Sequence, residues 1–290
     1  MMTALNNKID FAVVLRVNRA NPNGDPLNGN RPRTDYDNYG EITDVCIKRK
    51  IRDRLLEKWV SDGKKDDGNM VFVQSDDRKA DEHKSLRARA EAVLGKKLGS
   101  AETAKLACEK WIDVRAFGQL FALKAKKAVK GEEGSGDTGV SIGIRGPVTI
   151  QSAFSIEPID VASVQITKSV SGEGDGSKRG SDTMGMKHRV DKGIYLFCGS
   201  MNPQLAEKTG FSEADAKRIR EVLPRMFEND ESSARPAGSM QVLKVIWWQH
   251  SCKAGQYSSG KVHGTLSVKP DGSIELASLD GLEPKFVDGF

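Results

Sequence analysis

The most apolar stretch of the chain is Ile9 to Val17 (IDFAVVLRV), a run with the length and β-branched content of a central strand. Residues 18–42 follow as a segment rich in Asn, Gly, Pro and Arg. At 25 residues it is longer than an ordinary connection and reads as a functional loop. Ile47, Ile51, Leu55 and Trp59 then recur every fourth residue, which predicts an amphipathic helix from Thr43 or Asp44, both good N-cap types, to about Val60. Residues 61–70 are polar. Residues 80–94 and 101–111, rich in Ala, Leu, Lys and Glu, predict helices, and Ile112 to Phe117 reads as a strand.

Further along, residues 124–139 (KAKKAVKGEEGSGDTG) are charged and glycine-rich, as a flexible segment would be. Strands are expected within 146–160, 161–170, Gly193 to Cys198 and Gln241 to Gln249. A flexible tip at 171–182 separates the second from its return at Thr183 to Val190. Ser212 to Glu228 predicts a helix capped by Ser212, with Glu213 and Asp215 in its first turn. The last forty residues read as short strands and an acidic tail. Strands interleaved with two main helices and no internal repeat predict an α+β fold around one core, with helical and hairpin insertions.

Composition narrows the class. The 290 residues are 38% hydrophobic and 29% charged, which excludes a fibrous chain and wholesale disorder. No apolar run approaches the roughly 18 residues of a membrane span, and the N-terminus lacks the pattern of a secretory signal. Cys46, Cys108, Cys198 and Cys252 form no C-x-x-C, so neither a disulfide framework nor structural zinc is expected, and a reducing cytoplasm fits. The net charge of +5 decides little, but its distribution is uneven. Residues 78–130 hold 14 basic and 6 acidic residues, a local +8, and residues 270–290 a local −4. The basic region either faces a polyanion or is a solvated helical surface.

No hydrolase or phosphate-loop signature is present (no G-x-S-x-G, H-E-x-x-H or G-x-x-x-x-G-K-[ST]). GEGDGSKRGSD sits at a hairpin tip rather than between strand and helix, and DPLNGNRPRTD lacks the regular spacing of a calcium loop. Neither a metal nor a cofactor is expected. The first helix is more informative. Lys48 and Arg52 lie one turn apart beside the apolar stripe, with Arg49 further round. A row of cations there fits a groove that tracks a nucleic-acid backbone, or else is ordinary amphipathicity with snorkelling stems. The preceding loop adds Arg19, Arg31 and Arg33 with Asn18, Asn21 and Asn23, suited to phosphate and 2′-hydroxyl contacts, or to turn geometry. The arm near 163–190 carries Lys168, Lys178, Arg179, Lys187 and Arg189 around Met184 and Met186. Such an arm can wedge between stacked bases, or be a surface loop.

The runs NRANPNGDPLNGNRPRTDYDNYGEITDVCIKRKIRDRL, WIDVRAFGQLFA, IRGPVTIQSAFSIEPI and MKHRVDKGIYLFCGSMN, in this order over most of the chain, resemble the Cas-seven (Cas7) backbone subunit of type I CRISPR surveillance complexes. The type I-C (Csd-two) branch is the nearest. The resemblance implies an RRM-like (ferredoxin-like) palm with a helical finger insertion and a β-hairpin thumb. On that pattern, 1–60 is palm with the first strand, long loop and first helix, 61–111 finger, 112–160 palm strands, 161–190 thumb, and 191–290 the rest of the palm and the tail. It implies copies stacked head to tail along one CRISPR RNA, with each thumb displacing every sixth base of the pairing with target DNA. Cas-five-type, large and small subunits would complete the complex, and a separate helicase-nuclease would cut. The backbone subunit itself would not be catalytic.

Carried over, Lys48, Arg49 and Arg52 match guide-phosphate contacts, with Arg19, Arg31 and Arg33 on the same groove and Asn18 and Asn21 in its loop. Arg115 and Gln151 fall on expected palm strands, and Arg235 in a basic loop (SSARP). A rival reading is a type III-like subunit that cuts target RNA with Asp25 or Asp35 and a divalent metal. A third is a stand-alone RRM-like RNA binder, against which the missing RNP aromatics count.

Overall fold

A computed structural model describes residues 3–123, 140–167 and 184–290. The apolar run forms β1 (Ile9–Ala20). The segment expected as one long loop is instead broken into short hydrogen-bonded pieces. A hairpin of β2 (Gly24–Asp25) and β3 (Arg31–Pro32) is followed by β4 (Tyr39–Ile42). Helix α1 (Asp44–Ser61) starts where the stripe predicts. An excursion of α2 (Leu86–Leu94), α3 (Thr103–Lys110), α4 (Ile112–Phe117) and the hairpin β5 (Gln119–Leu123) with β6 (Val140–Ile144) follows. The chain returns through β7 (Val148–Ile150), β8 (Ala153–Pro158), β9 (Val161–Thr167), β10 (Met184–Met201), α5 (Pro203–Thr209), α6 (Glu213–Val222) and β11 (Met240–Gln249). It ends with α7 (Ser259–His263), β12 (Leu266–Val268), β13 (Ile274–Leu276) and β14 (Pro284–Asp288).

The fold is mixed α+β around a large antiparallel sheet of order β14-β11-β1-β10-β8-β4, with β7 and β9 also paired to β10. β1 is central because both its faces are covered, which is why its sequence is apolar at successive positions rather than alternating. Phe11, Val13, Leu15 and Val17 join Ile47, Ile51 and Leu55 of α1 and Ile219 and Val222 of α6 in the main core. Phe11 also stacks on Trp247 at 5.6 Å between ring centroids. On the other face, Ala12 and Val14 pack with Trp248, Val262 and Leu282 beneath the C-terminal segment. The excursion has its own cluster, in which Phe72 sits 4.7 Å from Trp111 and 5.3 Å from Phe121. No described helix is long and apolar enough to cross a membrane.

Several sequence expectations are corrected. Ile112–Phe117 is a helix, not a strand. The strand reading requires Asp113 and Arg115 to face outward, yet both are buried, each held by a partner distant in sequence. Residues 80–85 precede α2 instead of joining it. The strand expected in 146–160 is two strands interrupted at Gln151 and Ser152. The helix after Ser212 ends at Val222, where Pro224 removes a backbone donor and a 3-10 turn replaces the last turns. The acidic C-terminus is no free tail, since β14 pairs with β11.

Local chemistry fixes where α1 begins. The Thr43 hydroxyl accepts from Cys46 N at 3.3 Å, and Thr43 N and Oγ1 both donate to Asn23 Oδ1 (3.0 and 2.9 Å). Thr43→Ala is expected to cost about 1 kcal/mol, read as a melting temperature lower by roughly 2–4 °C.

Candidate nucleic-acid interface

The first turns of α1 meet the loop between α6 and β11, and cations from both converge on one carboxylate. Asp230 accepts from Lys50 Nζ, from Arg235 Nε at 2.9 Å and from Arg49 NH2 at 3.5 Å. Lys50 and Asp230 are buried, whereas the Arg49 and Arg235 side chains keep 38% and 23% of their surface exposed. Three cations on one anion leave this cluster net positive toward solvent. Arg49 also lies 3.6 Å from Asp53, and Arg78 stands 3.9 Å from the same carboxylate oxygen. Lys48, one residue before Arg49, donates to Asp44 at 2.8 Å.

Burial alone would raise the Asp230 pKa, but Lys50, Arg235 and Arg49 outweigh it and hold the carboxyl below its usual range. A depressed carboxylate contributes stability that is present above the unfolded-state pKa, near 4, and lost as pH falls through the lower folded value. The cluster is therefore intact at neutral pH. Burial pulls the Lys50 ammonium the other way, down from its ordinary value, and Asp230 is what opposes that shift.

The first loop is stitched against the same corner. Asn21 N donates to Ala234 O at 2.9 Å and Asn18 N to Ser239 O at 2.8 Å, so the loop carrying Arg235 is tied to the end of β1. Asn21 is buried and its Nδ2 donates to Asn30 O at 2.7 Å, so it shapes the loop. Gly24 faces Asn30, whose Oδ1 would lie 2.0 Å from any added Cβ, so a larger residue there would have to displace the Asn30 side chain. Arg31 reaches across to the arm, where NH1 donates to Ser163 Oγ at 2.9 Å and stands 3.5 Å from His188 Nδ1. Arg33 is 3.4 Å from Asp25. Arg19 adopts a left-handed φ of 52° and points into solvent 3.9 Å from Asp191. Asn18 lines a cleft of about 430 Å³ with Arg16, Asp191 and Lys192.

Two expected contacts are committed to the interior. Arg52 Nε donates to Asp113 at 3.1 Å and its guanidinium lies over the Phe117 ring. Arg115, on α4 rather than a palm strand, donates to both Asp215 oxygens (3.0 and 2.7 Å) and to Gly68 O and Cys108 O. Gln151 is exposed between β7 and β8, not within a strand. In the arm, Met184, Met186 and Lys187 are exposed and Arg189 is half-buried. The pairing of β9 with β10 places Met184, Met186 and His188 on one face, with Lys187 and Arg189 on the other. Lys168, Lys178 and Arg179 lie outside the described residues. The basic surplus of residues 78–130 is also partly internal, since Arg89 is buried on Asp81 and Phe72 O.

Sequence reasoning missed Lys50 and Asp230. A signal for Lys50 existed, because it lies three residues after Ile47 on the buried stripe, and a lysine there requires a buried partner. The rival candidates for metal chemistry serve the backbone. Asp25 accepts from Leu27 N at 3.2 Å, and Asp35 Oδ1 from Asp37 N and Tyr39 N at 3.0 and 2.8 Å.

A family model described as "CRISPR-associated protein Cas7" matches residues 7–282. A "CRISPR-associated protein Cas7" of Haloferax volcanii is 28% identical, over 96% of this chain and 80% of that protein. The chain also resembles solved structures. One, titled "CRISPR RNA-guided surveillance complex, pre-nicking", aligns at TM-score 0.46 and 14% identity, over 83% of this chain and 78% of the other. A "CRISPR RNA-guided surveillance complex" aligns at 0.41 and 16%, over 83% and 68%.

Proposed function

The chain belongs to the Cas7 family of CRISPR-associated proteins, and from that premise we propose that it is a guide-RNA-binding backbone subunit of a type I-C surveillance complex. Copies assemble head to tail along the CRISPR RNA, the RNA is held through its phosphates, and target DNA is read by pairing with the guide. Cas-five-type, large and small subunits complete the assembly. The observation that carries this reading is the net-positive corner where Arg49 and Arg235 share Asp230, with Lys48 next to Arg49 on α1. Phosphates need charge and donors there and no base-specific shape, so one surface can hold any guide.

An RRM-like palm is supported by the strand order β11-β1-β10-β8, with α1 following β1, α6 preceding β11, and both helices on one face. The separate cluster of the excursion supports a finger, one that runs past the expected end at 111 through β6, and the pairing of β9 with the start of β10 supports a thumb. A non-catalytic role is supported by Asp25 and Asp35, whose carboxylates are engaged with backbone amides.

The test is assembly. Full-length protein is mixed with single-stranded RNAs of one, two and three times a fixed length, and the mass of each complex is measured. The number of bound copies is expected to rise in proportion to RNA length. One copy at every length would favour a stand-alone binder, and cleavage at regular intervals that stops on Asp25→Ala would favour the enzyme.

A further inference from the structure

We infer that Asp230, neutralised from within by Lys50, is a positioning residue that sets Arg49 and Arg235 side by side as one preassembled phosphate fork. This rests on the reading of those two arginines as guide-phosphate contacts and goes a step beyond it. Arg49 comes from α1 and Arg235 from the loop before β11, so no local geometry relates them. Asp230 does, accepting from each. Two guanidiniums held near each other repel, and a carboxylate between them removes that cost before any ligand arrives. A lone carboxylate would also cancel half of the charge that the two arginines offer a phosphate. Lys50 prevents this. Its ammonium is buried on Asp230, with the Phe227 ring 5.3 Å away. The Lys50–Asp230 pair is thus close to neutral, and Asp53, 3.6 Å from Arg49, is faced in turn by Arg78 at 3.9 Å, so the corner keeps a net positive charge for an anion in solution. The loop backbone supports the arrangement, since Ser232 N donates to Arg235 O and Arg235 N to Ser232 O, closing a tight turn around Arg235.

The two possible roles of Asp230 predict opposite signs. As a mere competing anion beside the site, its removal would tighten RNA binding. As a positioner, its removal weakens binding although the site becomes more positive. The test measures the Kd of full-length Asp230→Asn for two single-stranded RNAs of unrelated sequence across a salt series, with thermal melts confirming folding. Binding is expected to weaken about tenfold for both RNAs at every salt concentration. The salt slope should stay at the parental value, because both arginines remain. Parental or tighter binding overturns the proposal.

Asp230→Glu covers the case in which the asparagine variant does not fold. It keeps the charge but moves the carboxylate by one methylene, so binding is expected to weaken several-fold, and parental affinity again overturns positioning. The paired Arg49→Ala/Arg235→Ala variant separates the two levels. If it binds like the parent, the phosphate reading itself is wrong. If it loses affinity while folded Asp230→Asn does not, only positioning is wrong.

Discussion

Asp215→Ala is expected to destabilise the fold by about 3–5 kcal/mol, the range for removing one partner of a buried ion pair. Asp215 does two jobs with one carboxylate. It accepts from both Arg115 Nε and NH2, and it closes the capping box of α6 by accepting from Ser212 N at 2.8 Å and Ser212 Oγ at 2.9 Å. Truncation leaves a guanidinium that is nearly buried, with Gly68 O and Cys108 O as its remaining acceptors among the described residues. It also removes half of the helix cap, which adds to the loss. Because Arg115 sits on α4 and Asp215 on α6, the change weakens the contact between two elements rather than loosening one. Urea unfolding is the measurement. A midpoint reduced by less than the equivalent of about 1 kcal/mol would mean that Arg115 finds other acceptors and that this pair is marginal, as exposed pairs are. Arg115→Met combined with Asp215→Ala should cost less than the two single changes summed, since the orphaned charge is then absent.

This pair also marks how far the sequence could be read. The central strand was legible because burial on both faces leaves an unbroken apolar run, and α1 because its stripe and Thr43 cap are local features. What was not legible depended on partners far along the chain. Arg52 looked like a free cation beside the stripe, but its acceptor, Asp113, is 61 residues away. Arg115 looked like an outward position of a strand, and its partner is 100 residues away. Both belong to the same error, since Ile112–Phe117 reads as a strand and is held as a buried helix by contacts that no periodicity encodes. Arg235 was named from the family pattern alone. Its pairing with Arg49 through Asp230 depends on a carboxylate 180 residues from Lys50, so the chemistry of that corner was visible only as separate charges.

The Arg49→Ala/Arg235→Ala variant carries the largest expected effect on binding. Each arginine contributes charge-assisted hydrogen bonds worth roughly 1.5–3 kcal/mol, so losing both should weaken RNA binding by about 10²- to 10⁴-fold at physiological salt. Folding should survive better than in Asp215→Ala, because both side chains are partly exposed and the buried Lys50–Asp230 pair is left in place. Single-stranded RNA releases about 0.7 counterion per phosphate contacted, so removing two contacts should flatten the salt dependence by roughly 1.4 in log Kd per log salt.

The measurement that bears most directly on phosphate-held guide binding is therefore this salt slope, taken for parent and variant on two guides of unrelated sequence. The predicted result is a flatter slope and an equal loss of affinity for both guides. An unchanged slope, or a loss confined to one guide, would contradict the account.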